Sequence, residues 1–158
     1  MMNHLLFSVD GILCALPLAD IRIVIQMVLP GAVPEPRPGL CGKLNFRGQI
    51  IPVWSVRTIF GKPDRSPALT DRLILVEKGR NTAALWVDET HVTRQGPVPL
   101  AEAERLKIQQ PLAPGVDLTT EGVVLFRDLF LFLSQEPLPA IGGADSASWP
   151  HVQQKEEG

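Results

Sequence analysis

The sequence predicts an all-β domain. Three observations carry this: short apolar runs broken by turn residues about every eight to twelve positions, 15 prolines in 158 residues, and scarcely any stretch of helical composition. With 45% apolar and 20% charged residues, the chain is globular in composition and of a size for one domain.

Taken in order, Leu5–Val9 and Ile12–Leu16 read as two strands joined by Asp10-Gly11, a two-residue turn whose glycine tolerates positive φ. Ile21–Val28 is β-branched and almost continuously apolar, with Arg22 and Gln26 as its polar side chains. It reads as a strand covered on both faces, with a helix as the alternative. Residues 29–39, LPGAVPEPRPG, hold four prolines and two glycines and form a loop.

A second hairpin runs from Lys43–Phe46 through Arg47-Gly48 to Gln49–Val53, and Val56–Phe60 suits a short helical turn ended by Gly61. After the polar connection Lys62–Thr70, Arg72–Glu77 and Thr82–Val87 flank a four-residue loop, Lys78–Asn81, and Thr90–Arg94 adds a strand. Leu100–Leu106 is weakly helical in composition. Leu112–Leu118 and Gly122–Phe126 form the last strand pair, turning at Thr119-Thr120-Glu121. Arg127–Leu133 closes the domain as a short apolar helix with Asp128 near its positive end. The domain is expected to span residues 3–134, with 135–158 a largely disordered tail by composition. The total is about nine strands, enough for a sandwich or barrel.

Charge and composition exclude several classes of function. The net charge of −2, from 15 basic and 17 acidic residues spread along the chain, leaves no footprint for nucleic acid or an anionic membrane. No apolar run approaches the roughly eighteen residues of a membrane span, and Met1–Leu16 lacks the basic start and cleavage site of a signal peptide, so a cytoplasmic protein is expected. Cys14 and Cys41 sit in apolar stretches without metal-ligand spacing and read as small core residues. His4, His91 and His151 lie in unrelated contexts, His91 on a strand surface, so neither a metal site nor a catalytic base is assembled. Asp88-Glu89 reads as a turn with solvated carboxylates. The glycines fall at turns or among prolines rather than in a phosphate loop. No enzyme, no metal and no cofactor is expected, and proteins are the expected partners.

The most informative stretch is GKLNFRGQIIPVWSVR, Gly42–Arg57. Asn45 can bond neighbouring backbone, Arg47 presents a planar fork of donors suited to carboxylates or carbonyls, and Gly48 permits a tight turn. These three either only build the hairpin or also meet a partner. Pro52 lacks an N–H, so its strand should be at an edge or end there.

This stretch resembles the signature of the CheW family, as do Cys14-Ala15-Leu16-Pro17-Leu18 before it and Leu85-Trp86-Val87-Asp88 after it. The resemblance implies two intertwined five-stranded barrels of the Src-homology-3 type with short helices, and no catalysis. It also implies a cytoplasmic adaptor in bacterial chemotaxis that joins the regulatory domain of a CheA-type histidine kinase to the cytoplasmic tip of a methyl-accepting chemoreceptor. The tip would lie in a groove between the barrels, without insertion of the adaptor into the membrane. On this resemblance the partner-binding candidates are Arg47, Asn45 and Gly48 with Ile21, Ile23 and Val24 of the groove-lining strand. The chain departs from the family pattern at Ile23, where a carboxylate is common, at Ser55, where aspartate is usual, and at Lys43, where an apolar residue is usual. Such departures bear on partner choice more than on folding.

Overall fold

The computed structural model describes residues 3–35, 37–63, 65–94, 113–119, 122–139 and 141. Two five-stranded sheets account for most of them. Strands β1 (His4–Val9) and β2 (Ile12–Pro17) form the first hairpin, Val9 facing Ile12. Its turn residues Asp10 and Gly11 both take positive φ, 53° and 82°, the backbone that a right-twisted two-residue hairpin demands. After a 3-10 turn, Leu18–Asp20, β3 (Ile21–Gln26), β4 (Leu40–Phe46), β5 (Gln49–Ser55), β6 (Arg72–Lys78) and β7 (Asn81–Val87) build the second sheet in the order β3-β6-β7-β5-β4. Strands β8 (Glu89–Arg94), β9 (Val116–Leu118) and β10 (Val124–Phe126) return to the first, ordered β8-β1-β2-β10-β9. The second sheet is thus inserted within the chain path of the first, the intertwined arrangement expected.

Each sheet joins two hairpins through one parallel pair, β2 with β10 and β5 with β7. Side-chain alternation then sorts residues between cores. On β6, Ile74 and Val76 enter a large core shared with β1, β2 and β10, while Leu73 and Leu75 enter a smaller one with Leu44, Ile51 and Val53. Phe126 is the hub of the shared core, its ring centroid 6.2 Å from Phe7, 6.4 Å from Phe60 and 6.1 Å from Phe132. Such aromatic pairs add about 0.5–1.5 kcal/mol each beyond area burial.

Two short helices bury apolar side chains in the shared core. Helix α1 (Val56–Ile59) is capped by Ser55, whose hydroxyl accepts from the Thr58 N–H at 3.2 Å. Helix α2 (Leu129–Leu133) is capped by Asp128, which accepts from the Leu131 N–H at 3.2 Å.

Several expectations need correction. β3 is a strand whose faces meet both cores, but it pairs only with β6 and its apolar residues stay half-buried, because it is the last strand of its sheet. The third hairpin turns on two residues, Gly79 and Arg80, since Lys78 already pairs with Asn81. β9 begins at Val116, because Ala113 bridges to Val116 across a turn at Gly115. Cys14 is in the core, but Cys41 is exposed, lying at the register shift between Leu40 and Gly42 that turns its side chain outward. Beyond residue 134, Ile141 is fully buried in the shared core and its N–H reaches the Ile59 carbonyl at 3.3 Å. The expected helix at Leu100–Leu106 and the tail from 142 lie outside the described residues.

Pro52 is explained by the ladder around it. Lys43 exchanges both backbone hydrogen bonds with Gly31, at 2.8 and 3.0 Å. Its pairing with Pro52 is therefore of the non-hydrogen-bonded kind, and no donor is missed on that side. On the other side, the parallel ladder to β7 begins only at Val53. The strand is interior, yet its second ladder ends at proline.

Candidate functional site

The β4–β5 hairpin ends in Arg47 and Gly48, with φ of 55° and 86°. A left-handed arginine is uncommon, and Asn45 supports it: its side-chain oxygen accepts from the Gly48 N–H at 2.9 Å and closes the turn. The Arg47 guanidinium lies 4.9 Å from the Phe46 ring centroid, and that of Arg22, from β3, lies 5.3 Å from the same ring. Arg22 also donates to the Gln49 side-chain oxygen at 2.9 Å. β3 and the β4–β5 hairpin stand at opposite ends of the strand order, so these contacts curl the sheet toward a closed barrel. The closure continues where the Gly31–Lys43 bridge lays the segment after β3 along β4. Gly42 makes this approach possible, since a Cβ there would stand 2.5 Å from Pro30 Cβ and 2.6 Å from the Gly31 oxygen.

Among the described residues Arg47 has no hydrogen bond or ion pair. A cation–π contact at an exposed site is worth about 0.5–1 kcal/mol, enough to orient the guanidinium while its donors stay unspent.

The six sequence candidates fall into two groups. Asn45, Arg47 and Gly48 share the exposed hairpin tip. Ile21 and Val24 lean on the shared core, whereas Ile23 leans on the smaller one, the side change arising from a register shift between Ile21 and Ile23. Arg22, which sequence reading did not select, links the groups. Of the departures from the family pattern, Ser55 is buried and caps α1, a task aspartate also performs, so that change preserves local structure. Lys43 is exposed.

A second cluster was not foreseen. Asp88, expected as a solvated turn residue, accepts from Arg57 Nη2 at 3.2 and 3.0 Å, from Arg65 Nη2 at 2.9 Å and from the Asp10 N–H at 2.7 Å. It thereby ties the β1–β2 turn, α1 and the connection before β6 into one knot. Arg65 also donates at 3.0 and 2.9 Å to Asp71, which is 2% exposed and further accepts from the Ala68 N–H and Trp86 Nε1, each at 2.9 Å. Burial would raise the Asp71 carboxyl, but hydrogen bonds from Arg65, Ala68 and Trp86, with the Arg65 charge, outweigh it and hold it below the usual carboxylate value. The same contact with Asp71 raises the Arg65 guanidinium. Arg57 and Asp88 each close a sequence motif, but 31 positions separate them, and nothing local pairs them.

At the end of the second sheet away from Arg47, Leu29 and Leu69 are 80% and 77% exposed. The Gln26 side-chain amide donates to the Leu69 carbonyl at 3.3 Å and brings the two segments together. Beside them lies a groove of about 500 Å³ walled by Leu29, Pro30, Arg37, Cys41, Arg65 and Trp86. Among the described residues no three His, Cys, Asp or Glu side chains are placed to hold a metal ion, and no helix is long and apolar enough to cross a membrane.

Two interlocked β-sheets, an arginine presented at one end of the second sheet and an apolar rim at the other define a protein-recognition scaffold. The chain belongs to the CheW-like domain family, which matches it over residues 3–136. Its fold is similar to that of the scaffolding protein TtCheW from Thermoanaerobacter tengcongensis, with a TM-score of 0.65 and 25% identity over 83% of this chain and 87% of that one. A search of curated proteins returns no match.

Proposed function

We propose that this protein is a non-enzymatic, cytoplasmic adaptor that couples methyl-accepting chemoreceptor-like proteins to the regulatory domain of a CheA-type histidine kinase, and is recruited to membrane-bound receptor arrays through those partners. Family membership supports the scaffold role. The observation that carries the coupling role is the separation of two exposed surfaces on one sheet, the Arg47 tip and the Leu29–Leu69 rim, which lets two partners be held at once. Both surfaces have the composition of interface anchors, arginine at one and large apolar side chains at the other.

The test is reconstitution of the cognate kinase and receptor in membranes, with kinase activity read with and without this protein. Receptor control of the kinase that needs the protein supports the reading; identical control in its absence overturns it.

A second reading keeps the scaffold and assigns it to pilus motility or surface sensing. Ile23 and Lys43 favour it, since β3 carries Arg22 as its one charged residue and the exposed Lys43 adds a cation beside the hairpin. Deletion strains separate the two readings: loss of directed swimming supports the first, and loss of surface behaviour alone supports the second.

A further inference from the structure

The segment after helix α2 packs against the proline-rich segment that follows β3. Arg37 donates to Glu136 at 2.6 Å and lies 5.4 Å from the Trp54 ring centroid. A Cβ on Gly39 would stand 3.1 Å from Leu138 Cδ2, and Ile141 is buried with its N–H on the Ile59 carbonyl at 3.3 Å. Residues 135–141 thus form a strap, and its contacts from Pro137 onward lie beyond the residues that the family matches. The strap runs beside the groove of about 500 Å³, because Arg37, Pro38 and Gly39 belong to the groove wall, as does Thr58, the neighbour of Ile59. The chain therefore leaves Ile141 next to a surface built from Leu29, Trp86 and three prolines, Pro30, Pro38 and Pro67. Leu29 is 80% exposed there and Trp86 is only half-buried. Large apolar side chains gathered in this way mark a surface that something covers.

We propose that residues 142–158 fold back along this groove and seat Trp149 against Leu29 and Trp86, so that the chain covers its own apolar rim. The strap already delivers the chain to the groove wall. Trp149 stands eight residues past Ile141, a reach of up to about 26 Å, whereas Ile59 is adjacent in sequence to the wall residue Thr58. Residues 142–148, GGADSAS, carry no apolar side chain larger than alanine, so Trp149 is the first after Ile141 with much apolar area to bury. A tryptophan buries about 150–250 Å². Proline rings and an indole give it a preformed wall that loses little freedom on contact. A segment tethered this closely acts at an effective concentration of about millimolar, which favours it over a second copy at micromolar protein. Where the rim also receives a partner, as the adaptor reading has it, that partner must displace the tail. The seating itself is independent of that reading and is tested without partners.

The experiment uses the full chain and follows two probes: the rate at which a thiol reagent modifies Cys41, which lines the groove, and the fluorine resonance of Trp149 in protein labelled with fluorotryptophan. Trp149→Ala identifies that resonance by its loss. The same variant is expected to speed Cys41 modification at least about fivefold. Leu29→Asp, at an exposed position, should speed it likewise and move the Trp149 resonance to the position it holds in urea. Combining the two substitutions should add nothing further, since both remove one contact. Buried Cys14 should stay unmodified throughout, which with the melting temperature shows that the variants are folded. Protection of Cys41 that is the same at about 5 and about 200 µM protein supports a contact within one chain, and protection that grows with concentration overturns it in favour of a second copy. Equal Cys41 rates in the parent and Trp149→Ala, or a Trp149 resonance unmoved by Leu29→Asp, overturn the seating. Protection that arises only on adding the kinase regulatory domain, and equally in Trp149→Ala, overturns it by giving the groove to that partner.

Discussion

Nη2 of Arg57 lies 3.0 and 3.2 Å from the two carboxylate oxygens of Asp88, which fastens helix α1 to the turn that follows β7. The Arg57 side chain is mostly buried and Asp88 is about a quarter exposed, so the pair is shielded more than an ordinary surface bridge. Asp88 also holds Arg65 and the Asp10 N–H, and its loss strands three donors at once. Breaking a buried pair costs about 3–5 kcal/mol, and partial exposure reduces that. Asp88→Asn is expected to destabilise by about 1–3 kcal/mol in urea unfolding. A change below about 0.5 kcal/mol would show that the knot is not a stabilising element.

Asp71 makes stability depend on acid. Its carboxyl titrates lower in the folded chain than in the unfolded one, so at acid pH the unfolded state binds the proton more readily. The stabilisation is complete above the ordinary carboxylate value of about 3.9 and is lost as pH falls through the lower folded value. Asp71→Asn should therefore be less stable than the parent near neutrality, with the gap closing as pH drops. Urea midpoints measured between about pH 6 and about pH 2.5 check this; a gap that stays constant would refute the assignment.

Gly42 and Gly48 separate two reasons for glycine. At Gly42 the obstacle is space, because a Cβ would press on Pro30 and the Gly31 oxygen. At Gly48 space is open and the obstacle is the φ of 86°. Gly48→Ala should cost about 1 kcal/mol through backbone strain alone. Gly42→Ala should cost about 1–3 kcal/mol and should also raise hydrogen exchange at the Lys43 and Gly31 amides, which close the barrel. Protection at those amides equal to the parent's would show that the crossing segment tolerates the methyl group.

The cysteines should differ in reactivity. Burial, with the charge of Asp88 nearby, pushes the Cys14 thiol well above its ordinary value, whereas Cys41 is exposed. A thiol reagent at pH 8 is expected to modify Cys41 in the native protein and to reach Cys14 only on unfolding. Rapid modification of both in native buffer would mean that the shared core opens readily.

The sheet class and the first two hairpins were legible because their causes are local. Asp10-Gly11 and Arg47-Gly48 are turn dipeptides between apolar runs, and alternation on the flanking strands does the rest. Asp128 marks the start of its helix by the same short-range chemistry, whereas the Ser55 cap of α1 emerges only from the structure. The third hairpin was misread because the polar Lys78 and Asn81 look like loop residues, yet they pair as the last rung of the ladder.

The Gly42–Arg57 motif, with Cys14–Leu18 before it and Leu85–Asp88 after it, indicated the family and through it the interlocked sheets, while its own residues indicated the hairpin that carries Arg47. Only the tertiary structure decided what those residues touch. Arg22 meets Phe46 because the sheet curls until its outer strands approach, and Asp88 meets Arg57 and Arg65 because β7 runs parallel to β5 and ends where α1 begins. Cys41 faces out through one register shift, and Ile23 turns toward the smaller core beside another. Turns and caps depend on neighbours one to four positions away, whereas ion pairs and strand faces depend on which distant strands lie side by side and in what register.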